Sequence, residues 1–142
     1  MASPNEDAEA QRLLGVSAVS AGDVWTVGYY QKDGTYRTLI EHWNGTEWSI
    51  VPSPNQEAEN NLSAVAIISS NNVWAVGNYA SSKDDNRTLI EHGNASDQSI
   101  VSSPNQGSVE SSLSGVASLS PSDAWAVGHY VPKNPNVLTL IE

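Results

Sequence analysis

The residues able to do chemistry in this chain recur in register. Glu41, Glu91 and Glu142 each close a Thr-Leu-Ile-Glu tetrad, and His42 and His92 follow the first two. Paired carboxylates can divide acid and base roles, and His beside Glu is a usable metal-ligand pair. Ligands for one ion must converge, however, whereas equivalent positions on successive repeats diverge. A side chain that returns in every copy is therefore read as building the copy, and the three Glu are given a structural role. Asp23 and Asp123, with Asn72 between them in the pattern, fall among short turn formers, where their side chains can bond the nearby backbone. Lys83-Asp84-Asp85-Asn86 has the acids of a calcium loop but neither its alternating spacing nor its closing Glu, and is read as solvated loop. There is no Gly-x-Ser-x-Gly, phosphate-cradling Gly loop or His-Glu-x-x-His. No catalytic residue, metal or cofactor is expected, and the chain is read as not an enzyme.

Composition narrows the partners. The 142 residues carry 16 acidic and 6 basic side chains, a formal net charge of −10. A polyanion would be repelled, and no cluster of Lys or Arg offers a nucleic-acid or membrane-surface patch. No cysteine is present, which removes disulfides and thiolate chemistry and leaves the compartment open. The first residues lack the charged and apolar regions of a signal peptide, and no apolar run approaches the length of a membrane span.

The elements that hold these residues follow from a repeat. Ser-Pro-Asn occurs at 3–5, 53–55 and 103–105; Trp25-Thr-Val-Gly28 returns as Trp74-Ala-Val-Gly77 and Trp125-Ala-Val-Gly128; Thr-Leu-Ile-Glu ends at 41, 91 and 142. The copies are 49 to 51 residues apart, which divides the chain into repeats 3–52, 53–102 and 103–142. Each reads as four short antiparallel strands. The first, Leu13–Ser20 and its copies, is apolar enough to be innermost and buried on both faces. The second runs through the Trp motif, the third is Thr38–Trp43 and its copies, and the fourth is Glu47–Val51 and Asp97–Val101. Asn44-Gly45 reads as a type I′ hairpin turn. Longer links are expected at Tyr29–Arg37, Asn78–Arg87 and His129–Val137, all on one face.

These units resemble the Trp-rich tandem repeats of bacterial β-propeller proteins and are broadly similar to kelch and WD-type blades. They lack the Gly-Gly doublet of the former and the terminal Trp-Asp of the latter, so neither family's partners carry over. The resemblance covers essentially the whole chain and implies an all-β fold of three four-stranded propeller blades.

Eleven strands are expected where three blades need twelve, leaving the last blade without its outer strand. Since propellers close with four to eight blades or so, a ring completed by self-association is expected, six blades from a homodimer or nine from a homotrimer. Trp25, Trp74 and Trp125 are assigned to packing between blades. Tyr29, Tyr30, Asn78, Tyr79, His129 and Tyr130 follow the Val-Gly steps and are the candidate ligand-binding residues of the long-loop face, with a glycan or a protein loop as ligand. Trp43 and Trp48 flank Asn44-Gly45 and are read as an outer-edge stack that the next copy dispenses with, having Gly93 and Gln98 there; an aromatic platform for a sugar ring is the alternative. The functional expectation is a non-enzymatic binding scaffold. Its alternatives are a carbohydrate-binding propeller and a purely structural or engineered fragment with no ligand.

Overall fold

Val, Ile, Trp, Tyr and Thr alternate with small or polar residues along each repeat, a period that suits a pleated strand facing apolar surroundings. The computed structural model describes residues 3–5, 7–80, 82, 85–105, 109–133 and 136–142, and it is all-β. The first unit is β1 (Ala10–Ser20), β2 (Asp23–Lys32), β3 (Thr35–Trp43) and β4 (Trp48–Ile50). The second is β5 (Glu59–Ser69), β6 (Asn72–Ala80), β7 (Asn86–Gly93) and β8 (Gln98–Val101). The third is β9 (Glu110–Ser120), β10 (Asp123–Val131) and β11 (Leu138–Ile141). Within each unit every strand pairs antiparallel with the next. A single parallel contact, Asn86 with Glu110, joins the second and third units into one mixed sheet.

The recurrent Val-Gly step has a steric origin. A Cβ on Gly28 would meet the Arg12 carbonyl oxygen at 1.9 Å, and Gly77 and Gly128 would meet those of Asn61 and Ser112 at the same distance. The first strand of each unit crosses its second too closely for any side chain at that point. In all three units its pairing shifts register there, between Leu13 and Gly15, between Leu62 and Ala64, and between Leu113 and Gly115.

The core lies between units. Trp25, Val27, Ile40 and Val51 pack against Leu62, Val65, Val73, Ala75 and Leu89 of the second unit. Val76 and Ile90 then pack against Leu113, Ala126 and Leu140 of the third. Successive side chains on a strand point to opposite faces, so β6 presents Val73 and Ala75 to the unit before it and Val76 to the unit after it. A polar clamp closes each seam. The Thr38 amide donates to Asn55 Oδ1 at 2.9 Å, and Ser53 Oγ lies 2.7 Å from both Thr38 Oγ1 and Glu91 Oε2. Thr88, Ser103, Asn105 and Glu142 repeat the arrangement one unit on.

Four expectations are corrected. The segment Tyr29–Arg37 is no loop, because β2 and β3 continue to Lys32 and Thr35 and meet at Asp33 (φ 52°) and Gly34 (φ 72°). Both turn residues have positive φ, the requirement of a type I′ turn. At Asn44-Gly45 only the glycine does, with φ 96°. Asn44 instead turns the chain with its side chain, Oδ1 accepting from the Thr46 and Glu47 amides at 3.0 Å each. The other two long links shorten as well, since β6 runs to Ala80 and β10 to Val131. Finally, β1 is largely exposed rather than buried on both faces: β5 packs between β1 and β9, whereas no unit covers the outer side of β1.

Candidate functional site

The six residues assigned to the long-loop face lie on strands, and the structure separates them. Tyr29 of β2 and Asn78 of β6 come together on one open cleft of about 410 Å³ between the first and second units. Tyr36, Glu59, Asn60, Asn61 and Asn86 complete its lining. Tyr79 packs against the first core cluster and Tyr130 against the second, so both fill unit ends. Tyr30 pairs with Gln11 and Arg37 on neighbouring strands and is not among the cleft residues. His129 sits in the third unit with Nε2 3.7 Å from Glu110.

Each wall of the cleft has its own chemistry. On the first unit Tyr29 and Tyr36 meet edge to face, ring centroids 5.2 Å apart. On the second, three asparagines form a row: Asn61 Nδ2 lies 3.5 Å from Asn78 Oδ1, and Asn78 Nδ2 donates to Asn86 Oδ1 at 3.2 Å. The Asn61 Oδ1 atom is buried without a donor. Asn60 is otherwise engaged, exchanging two hydrogen bonds with the Gln56 backbone. Sequence reasoning missed Tyr36, Asn61 and Asn86. Asn61 could have been found, because the strand register sets it directly opposite Asn78.

The recurrent acids and histidines serve the seams. Burial pushes the Glu91 carboxyl up to about 8, against the opposing pull of its hydrogen bond from Ser53. Glu41 is raised by burial too, with Ser3 acting the other way. His42 stacks on Trp25 at 4.4 Å and His92 on Trp74 at 4.0 Å. Asp23 Oδ1 lies 2.9 Å from both Trp25 Nε1 and His42 Nε2. Among the described residues no three His, Asp or Glu gather where a metal could sit. Of the acidic run, Lys83 and Asp84 lie outside the described residues, while Asp85 bonds Arg87 at 3.1 and 3.2 Å. Trp43 and Trp48 face each other across the β3–β4 hairpin at 5.8 Å.

A second cleft, of about 370 Å³, is lined by Gln56, Tyr79, Thr88, Ser103 and Asn105 among others, but the last three are committed to the clamp. No family model, curated protein or solved structure matches the chain. What distinguishes its surface is the state of the two end faces. Trp25 is fully buried by the second unit, whereas its counterpart Trp125 is 57% exposed. Val127 and Ile141, the counterparts of buried Val27 and Ile40, are exposed beside it. At the opposite end Val16 is 70% exposed where its counterpart Val65 is buried, and Leu13 is open where Leu62 is buried.

Proposed function

We propose that this chain is a non-enzymatic scaffold of β-propeller blades that completes a ring with further copies of itself and presents one face of the ring for binding. The observation that carries the reading is the match between the two open ends. Trp125, Val127 and Ile141 repeat the set Trp25, Val27 and Ile40, and Leu13 and Val16 repeat Leu62 and Val65. Those two sets pack against each other inside the chain. The end of one copy thus has the chemistry that buries the start of another.

The polar clamp points the same way. Thr139 is exposed, whereas its counterparts Thr38 and Thr88 are buried under the Asn and Ser of the following Ser-Pro-Asn segment. Ser3 already bonds Glu41 at 2.6 and 2.7 Å, as Ser53 bonds Glu91, which leaves the Thr side of that segment for a neighbour. A head-to-tail contact of this kind is heterologous and forms a ring when its rotation closes the circle.

Native mass spectrometry of the 142-residue chain tests the reading. A mass two or three times 15.1 kDa is expected, and Trp125→Glu should return the assembly to single chains that keep their fold by circular dichroism. A single-chain mass for the unaltered protein would overturn it.

A further inference from the structure

We infer that the cleft between the first and second units is a binding site for a neutral oligosaccharide. This rests on the reading of that face as a binding surface, though not on ring closure, because both walls belong to one chain. It gives the face a specific ligand chemistry and a specific place.

The cleft is not part of the repeat. The positions of Asn61, Asn78 and Asn86 hold Arg12, Tyr29 and Tyr36 in the first unit and Ser112, His129 and Val137 in the third. Residues that build a unit return in every unit, as the Trp, the Val-Gly step and the Thr-Leu-Ile-Glu tetrad do. The amide row occurs once, and it faces the one tyrosine pair that occupies the same two positions. Packing does not require it either. The link from Asn61 to Asn78 is at the long limit of a hydrogen bond, and a buried Oδ1 without a donor destabilises the free protein. Each amide carries two donors and an acceptor with two lone pairs, so the row has more hydrogen-bonding capacity than the protein uses.

The lining sets the ligand class. Neighbouring sugar hydroxyls both donate and accept, which matches side-chain amides that do the same. Tyr29 and Tyr36 offer aromatic surface for the apolar C–H face of a pyranose ring. Among the described residues Glu59 is the only carboxylate of the lining, and no Lys, Arg or His joins it. A phosphate, sulfate or uronate would find no counter-charge among these described residues and a net charge of −10 on the chain as a whole. A metal ion would find one carboxylate, too few for a cation that takes several oxygen ligands. The volume of about 410 Å³ falls in the range of small-ligand sites, roughly 300–1,000 Å³.

Titration calorimetry and saturation-transfer NMR of the unaltered protein against neutral gluco-, manno-, xylo- and chito-oligosaccharides test the proposal. At least one series should bind. Tyr36→Ala, at an exposed position, and Asn78→Leu should each weaken it by about tenfold or more, the scale of one or two lost hydrogen bonds or stacking contacts. Circular dichroism and native mass should stay unchanged in the Tyr36 variant, which keeps the test valid if the Asn78 variant folds poorly. Absence of binding across the panel, binding undiminished in Tyr36→Ala, or selective binding of uronic acids or peptides would each overturn it. Peptide binding would still leave the face a binding surface. A single-chain mass accompanied by sugar binding would sink the ring and keep the site.

Discussion

Trp25 and Trp125 occupy the same strand position in the first and third units, yet one is fully buried and the other 57% exposed. Trp25 donates to Asp23, stacks on His42 and lies against Leu62 and Val65 of the next unit. Trp125 lies against no further unit among the described residues. The difference shows where stability resides in a repeat protein: a unit supplies half of an interface, and its apolar residues become core only when a neighbour supplies the other half. The sharpest way to break the comparison is to truncate both. Trp25→Ala should cost about 3–5 kcal/mol, the usual range for a buried large aromatic, and Trp125→Ala far less in single chains. Urea unfolding at a concentration low enough to hold single chains reads both. Equal losses would mean that Trp125 is covered within its own chain.

The second effect is a pH dependence centred on the seam of units one and two. Glu91 lies deep at the seam of units one and two with its carboxyl pushed up to about 8, whereas an ordinary carboxyl titrates at 4.5. Below 4.5 the folded and unfolded chains both carry the proton and nothing is lost. As pH rises from 4.5 to about 8 the unfolded chain ionises first, so stability falls through that window and levels off above it. Glu41 contributes in the same direction. His92, held below its usual 6.5 by burial, acts oppositely and destabilises only as pH drops below that value. Glu91→Gln keeps an acceptor for Ser53 and removes the titration, so its unfolding free energy should change less over the window than that of the unaltered protein. Identical slopes would assign the pH dependence to other groups.

Periodicity made much of this architecture legible. Three copies of Trp-x-Val-Gly and Thr-Leu-Ile-Glu gave the number of strands and their order within each unit, because a residue that must meet the same neighbour in every unit cannot drift. Strand ends were harder. Asp33-Gly34 reads as part of a link in the sequence but is the turn of a long hairpin, since the strands flanking it carry Tyr, Gln and Lys rather than an apolar run. The role of Ser-Pro-Asn as a clamp was hidden because its partners, Thr38 and Glu91, are 15 and 38 residues from Ser53 and belong to different units. The cleft was half visible, through Tyr29 and Asn78. Its other asparagines belong to no period and carry no hydrophobic pattern, so only strand register could bring them in.

The smallest effect concerns a position beside the core at which unit two departs from unit one. Asp23 bridges Trp25 and His42, but Asn72 takes its place in the second unit. There Asn72 Oδ1, Trp74 Nε1 and His92 Nε2 are all buried without a partner, although the indole and imidazole still stack at 4.0 Å. An indole N–H and an imidazole nitrogen that both lack a partner form an arrangement a carboxylate, as at Asp23, repairs. Asn72→Asp should therefore stabilise the protein by about 1 kcal/mol, the net worth of a hydrogen bond, and should move the His92 titration upward, since an adjacent anion favours imidazolium. NMR titration of His92 reads the second effect independently of the first. If the histidine moves up while stability drops, the carboxylate has reached its partners but its desolvation outweighs their hydrogen bonds, and the Asp of unit one is tolerated because the edge of its seam is the wetter of the two: the Asp23 side chain is 18% exposed, against 8% for the whole of Asn72.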